Sequence, residues 1–358
     1  MGTRLQPQRR WSGRRARRPT AIYQRTALSW PPTISPLVPA ARLVTSVLLS
    51  VTVWLSATVL LLPSPAQAQE LEPRAFSNAP VNLNFVAVAY AYSTGNVALD
   101  PSLPIEGLRS TLHVVAPRYV RTLDFFGVTS KVKFLLPVAT GHWEGVLTDP
   151  LPGTDIEPGF RTRDDTGLGD ARFSWEVNFF GSPALGLREF ASYRQRTILG
   201  AGIQVIMPTG HYDNERLINL GSNRWAFRPQ IGISQAVGRW TFEATATAWI
   251  FTDNNEYFGN LTLEQDSILA LQGHVIYTIR PGFWIAVDAG VLDGGTTRID
   301  GVVRNTLQRN SRAGLTLVYP LARQHGISVA YSRGVTTRIG ADFRTFAVAY
   351  QYMWGGGL

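Results

Sequence analysis

The chain has 358 residues, room for one large domain or two ordinary ones, with a formal charge of +9 and no cysteine. The missing cysteine excludes disulfide stapling, thiolate metal sites and Cys nucleophiles. Residues 1–68 hold nine Arg and no acid, and the remainder balances 25 basic against 25 acidic residues, so beyond the leader the basic charge makes no case for a nucleic-acid partner.

In chain order the leader comes first. Arg42 precedes the apolar run LVTSVLLSVTVWLSATVLLL (43–62), and PSPAQAQE follows. Basic, apolar, then A-x-A is the order of a secretory signal, with cleavage expected after Ala68. A membrane anchor is the alternative, because the run is about long enough to span. Pro63, Pro65 and the small residues Ala66 and Ala68 favour the signal. The expected divisions are a leader over 1–68, a short periplasmic segment over 69–80, a barrel over 81–354 and a tail over 355–358.

From residue 81 the hydrophobic period is two. In GLGDARFSWEVNFFG (167–181), Asp170, Arg172, Ser174, Glu176 and Asn178 alternate with Ala171, Phe173, Trp175, Val177 and Phe179. Successive side chains of a strand point to opposite faces, so one face is polar and the other aromatic. Twelve such segments follow one another: 81–94, 109–122, 128–138, 168–180, 198–208, 224–236, 240–252, 265–279, 283–292, 310–320, 326–336 and 342–354. Tight connections at 124–127, 238–239, 280–282 and 322–325 alternate with longer polar ones at 95–108, 139–167, 209–223, 253–264 and 293–309. The stretch 181–197 is long where a short turn is due, and its ALGLREFASYR part suits a brief amphipathic helix at the periplasmic mouth.

Alternating short turns and long loops point to an all-β fold, a single antiparallel transmembrane barrel of about 12 strands with short periplasmic turns and long extracellular loops. A soluble sandwich has no reason to keep that alternation. Strands of this length suit a tilted crossing of the bilayer. Tyr92, Tyr119, Trp225, Trp240, Trp284, Tyr319 and Trp354 lie near strand ends, where interface girdles sit. The last strand alternates Phe346, Val348, Tyr350, Tyr352 and Trp354, an ending that resembles the signal read by the bacterial barrel-assembly machinery. The expected partners are therefore outer-membrane lipid, that machinery and a small-molecule solute.

The ordered set GLGDAR (167–172), MPTGHYD (207–213), GSNRWAFRPQIG (221–232), FWIAVDA (283–289), GGTTRIDG (294–301) and RNSRAGLTLVYPL (309–321) resembles a known family. It is the outer-membrane transporter family grouped under the meta-pathway of phenol degradation. The resemblance covers about residues 80–354. It implies a channel in the bacterial outer membrane, for hydrophobic or aromatic compounds.

The candidates for a lumen lining are Asp170, Arg172, Glu176, Asn178, Gln204, Arg228, Gln230, Glu243, Gln272, His274, Asp288 and Arg312, with Lys131 and Lys133 expected on the same face. They can set what passes, or they can form a network that braces the wall. Gly200, Gly202, Gly232, Gly273, Gly290 and Gly314 lie within strands and are expected to serve curvature rather than ligand contact. No catalytic, metal or cofactor site is expected: there is no G-x-S-x-G and no H-E-x-x-H, and the acidic run DDTGLGD (164–170) lacks EF-hand spacing. Two other readings stay open, a barrel-embedded, lipase-like hydrolase using His211 or His274, and a structural or surface barrel with a plugged lumen.

Overall fold

A computed structural model describes residues 71–101, 103–149 and 157–358; the leader and its cleavage site lie outside the described residues. The strands in chain order begin with β1 (Leu83–Ala98), β2 (Ile105–Phe125), β3 (Val128–Leu135), β4 (Val138–Leu147), β5 (Gly159–Leu168) and β6 (Arg172–Phe180). After a one-turn helix α1 (Leu187–Phe190) come β7 (Thr197–Ile206), β8 (Ala226–Val237) and β9 (Trp240–Phe251). Next are β10 (Asn254–Tyr257), β11 (Leu261–Gln265), β12 (Ile268–Arg280), β13 (Phe283–Gly294), β14 (Thr297–Ile299) and β15 (Val302–Val303). The chain finishes with β16 (Gln308–Pro320), β17 (His325–Thr336) and β18 (Gly340–Gly355).

Lipid offers the backbone no hydrogen-bond partner, so a membrane-crossing sheet must close on itself. It does: β18 returns antiparallel to β1 in unbroken register from Leu83↔Gly355 to Ala98↔Gly340. Among the described residues the closed wall has twelve antiparallel staves. Two of them are compound. The periplasmic half of β2, Arg118–Phe125, pairs with β3, and its upper half, Ile105–Val115, pairs with β4. The break falls at Leu136–Pro137, where proline has no N–H to give the ladder. The fourth stave is β5 followed by β6, broken at residues 169–171.

The stretch 139–167, expected to be one long loop, is thus largely a hairpin of β4 and β5 that raises this side of the wall. Its outer strand β5 would be an open edge. The connection 207–225 covers that edge, with the His211 N–H donating to the Leu168 carbonyl at 2.7 Å. Two further connections fold on each other: β10 and β11 from one, and β14 and β15 from the next, form a separate four-stranded sheet through Leu263↔Ile299 and its neighbours. At the other end, Phe126 and Gly127 close a two-residue hairpin, both at positive φ (52° and 84°), as a primed turn requires. Gly238 (φ 60°) serves the next such turn.

Exposure separates the two faces of 167–181. Phe173, Trp175 and Phe179 are 42%, 39% and 48% exposed, whereas Glu176 and Asn178 on the alternate positions are 3% and 2% exposed. The outer face continues around the wall through Val88, Tyr90, Ile231, Phe242, Leu271, Val287, Leu315 and Phe346, all exposed. An apolar, water-incompatible belt outside and polar groups inside is the distribution of a barrel in lipid. Trp284 departs from the expected girdle: it faces inward, beneath Arg74 at 5.2 Å. Among the described residues no helix is long and apolar enough to cross a membrane, and the crossing is made by strands.

A cation on the lipid face tests this orientation. Leu271→Arg should destabilise the barrel by about 2–4 kcal/mol, read as a lower urea midpoint in lipid vesicles. An unchanged midpoint would place that face away from lipid.

Candidate functional site: the lumen

Lys133 on β3 reaches the Glu176 carboxylate on β6 at 2.5 Å, and Gln230 on β8 donates to the same oxygen at 3.2 Å. Gln204 donates to Ser174 at 3.1 Å, and Arg228 lies 5.2 Å from the Trp249 ring centre. His274 and Asp288 face each other across β12 and β13, the ring Nδ1 donating to the carboxylate at 2.7 Å; Thr316 donates to its second oxygen, also at 2.7 Å. Arg312 donates to the Phe343 carbonyl at 2.8 Å. Gln272 is buried inside the wall, and Arg172 lines a cavity. Charges so placed are tolerated because each meets an opposite charge or a hydrogen-bond partner.

Asp170 has a different station from the rest. It lies in the break between β5 and β6, where its carboxylate accepts the N–H groups of Gly210 and Ser222, each at 2.9 Å, and the Ser222 hydroxyl at 2.5 Å. It therefore ties the connection 207–225 to the rim. The other acids of 164–170 are also satisfied by side chains: Asp164 by His142 at 2.7 Å, Asp165 by Arg163 at 3.1 Å and His211 at 3.0 Å. Arg224, at the base of the same connection, stacks 4.5 Å from Phe251 and donates to Gln265. Burial lowers its guanidinium to about 10 against the pull of Asp253 and Asp170, which leaves it a cation at neutral pH. Among the described residues no group of His, Asp and Glu could hold a metal ion.

The residues just before β1 are what the sequence did not disclose. Residues 71–80, expected as a periplasmic segment, run inside the wall. Phe76 is 2% exposed. Its ring lies over the paired Gly200 and Gly232 of β7 and β8, where an added Cβ would fall 2.2 Å and 2.3 Å from ring carbons. Those two glycines, read for curvature, clear a slot for a side chain. Asn178 donates to the Phe76 carbonyl at 2.9 Å, and Lys131 donates to the carbonyls of Ala75 and Ser77, both at 2.8 Å. Glu243 accepts the Arg74 N–H at 2.6 Å and hydroxyls from Ser77 at 3.3 Å and Ser234 at 2.7 Å. Glu72 pairs with Arg118 and with Lys133, the latter at 3.1 Å. The segment leaves through Pro80, whose carbonyl accepts the Thr122 hydroxyl at 2.6 Å, and turns at Asn82 (φ 62°) into β1.

It fills only part of the lumen. Beside it lies a cavity of about 750 Å³. One patch carries small residues in register across four staves, Ala116, Ala89, Ala349 and Ser328. The lining also carries charge, from Arg118 beside that patch and from Arg74, Lys131, Lys133, Arg172 and Arg312.

A closed twelve-stave wall, apolar outside and charged within, defines an outer-membrane β-barrel of Gram-negative bacteria. The chain belongs to the family described as "Putative MetA-pathway of phenol degradation", which matches residues 94–351. A crystal structure of an outer membrane channel from Pseudomonas putida F1 is similar at TM-score 0.65 and 21% identity, covering 80% of this chain and 100% of that one. More distant are a NanC porin (TM-score 0.40, 10% identity, 75% of this chain and 98% of that one) and the transport unit of the autotransporter AIDA-I from Escherichia coli (0.42, 8%, 79% and 92%). No curated protein matches the sequence.

Removing one partner of a buried ion pair strands the other. Lys133→Met should cost about 3–5 kcal/mol, and Lys133→Met with Glu176→Leu should recover most of it. Urea unfolding of the folded barrel measures both, and a double variant that loses as much as the single one contradicts the pairing.

Proposed function

We propose that the barrel carries small molecules across the outer membrane by diffusion along the lumen beside residues 71–80. The observation that carries this reading is the cavity of about 750 Å³, which is lined by a patch of small side chains and by charged ones. A barrel braced only for stability has no need of that space, since bulky inward residues would fill it. The family supports a solute drawn from aromatic catabolism. The chemistry of the wall, apolar in one patch, is compatible with a ring. The connections 207–225 and 295–307 and the β4–β5 hairpin would control entry from outside. Export by the leader, and delivery through the aromatic end of β18 to the assembly machinery, belong to the same proposal.

A barrel without transport is favoured by one observation, the segment in the lumen. A hydrolase finds less support: among the described residues the five histidines meet carboxylates and tyrosine hydroxyls, and no serine or threonine hydroxyl bonds a ring nitrogen.

Liposomes containing the purified protein should swell in small aromatic and polar solutes. Ala89→Trp, which fills the small-residue wall, should slow swelling at least fivefold. Absence of swelling with every small solute contradicts the channel, and undiminished swelling in the Trp variant moves the path elsewhere.

A further inference from the structure

Glu72 is an acid placed on cations that belong to the wall. Arg118 on β2 donates to its Oε1 through Nη2, and Lys133 on β3 donates to the same oxygen at 3.1 Å. Lys133 is held from behind by Glu176, and its side chain is only 8% exposed. The pair therefore presents a preformed anion site, and Arg is suited to carboxylate through its fork of donors. The carboxylate in that site is on the segment rather than on a stave. Its main anchors, the Phe76 slot and the Pro80–Asn82 turn, lie further along the chain, so displacing Glu72 requires only that Leu71–Pro73 shift and Leu71 leave its place beside Gly314 of β16.

The cavity starts at Glu72. Its charged lining counts Arg74, Arg118, Lys131, Lys133, Arg172 and Arg312 against Glu72 and Asp288. Moving Glu72 away raises that excess of positive charge and favours an incoming anion. Beside Arg118 on the same wall lie Ala87, its register partner on β1, and Ala89 and Ala349, which can accept an apolar surface but offer no side-chain hydrogen bond. A cavity of about 750 Å³ falls in the ordinary range for small-molecule sites, about 300–1,000 Å³. An inorganic anion would satisfy the cations and leave the alanine wall wet. A neutral ring would cover the wall and have nothing with which to replace Glu72.

We propose that Arg118 and Lys133 form a carboxylate-binding site in the lumen, occupied at rest by Glu72 of the same chain, and that a small organic carboxylate with a flat apolar body displaces it. This rests on the channel reading and names the class of solute. Occupant and solute compete for one site, so removing the first should strengthen the second.

The probe is benzoate, with benzamide as its uncharged counterpart, titrated calorimetrically into the purified, folded full chain in detergent. Glu72→Gln should bind benzoate at least tenfold more tightly than the wild type, with benzamide unchanged. Adding Arg118→Met to Glu72→Gln should abolish the gain. Heat-modifiable mobility on gels checks folding. Should Glu72→Gln fail to fold, Glu72→Asp, a shorter carboxylate, should still bind benzoate more tightly than the wild type. Equal benzoate affinity with and without Glu72, or an equal gain for benzamide, overturns the proposal. Failure of the channel reading shows separately, as liposomes that do not swell with wild-type protein.

Discussion

The structure depends on one shortage: hydrocarbon cannot hydrogen-bond a peptide group. Every N–H and C=O at membrane depth must be paired within the protein. The unbroken β1–β18 ladder removes the last open edge, and the antiparallel order of the other staves follows from joining each to its neighbour in chain order. Closure also separates two solvents. Because side chains alternate, each stave must be apolar on one set of positions and free to be polar on the other. Where the chain departs from regular pairing, at Pro137 and at residues 169–171, neighbours take up the freed backbone: Gly169 donates to the Pro137 carbonyl, Met207 to that of Ala171 and His211 to that of Leu168.

Inside the wall the governing cost is different. Buried charge must find an opposite charge or several donors, and the lumen meets this by cross-stave pairs such as Lys133–Glu176 and His274–Asp288. Some of the partners come from the segment before β1. Lys131 is satisfied by its carbonyls, and Glu243 by its backbone N–H and a serine hydroxyl. Polarity on the inner face therefore supports both stability and the character of the remaining space.

Much of this was legible in the sequence. A period of two is a local property, so strands such as 240–252 and 310–320 declare themselves without reference to neighbours, and loop lengths supply the order of sides. The inner face could be read for the same reason, and Glu176, Asn178, Glu243, His274 and Asp288 stand in strand positions of the right parity. What was missed depends on contacts distant in sequence. β4 and β5 carry mixed, polar residues because they rise above the lipid, where no apolar face is needed, so their pattern looks like a loop. Asp170 has the parity of a wall residue but falls in a break that only the crossing connection reveals. Residues 71–80 have no period, and their place is fixed by Arg118, Lys131, Gly200 and Gly232, which stand on four different staves. A pair of glycines meant to sit opposite one another on neighbouring strands was the available signal, and pairing register is not visible in a single sequence.

The slot for Phe76 imposes an order on assembly. It exists only once β7 and β8 have paired with Gly200 opposite Gly232. Further contacts of the segment come from β2, β3, β6, β9, β12, β13 and β16. The segment can seat only when those staves stand in their proper register, so its docking is a late event in biogenesis. A barrel slipped by one residue at β7–β8 would turn the glycines away from each other, offer no slot and leave residues 71–80 unseated.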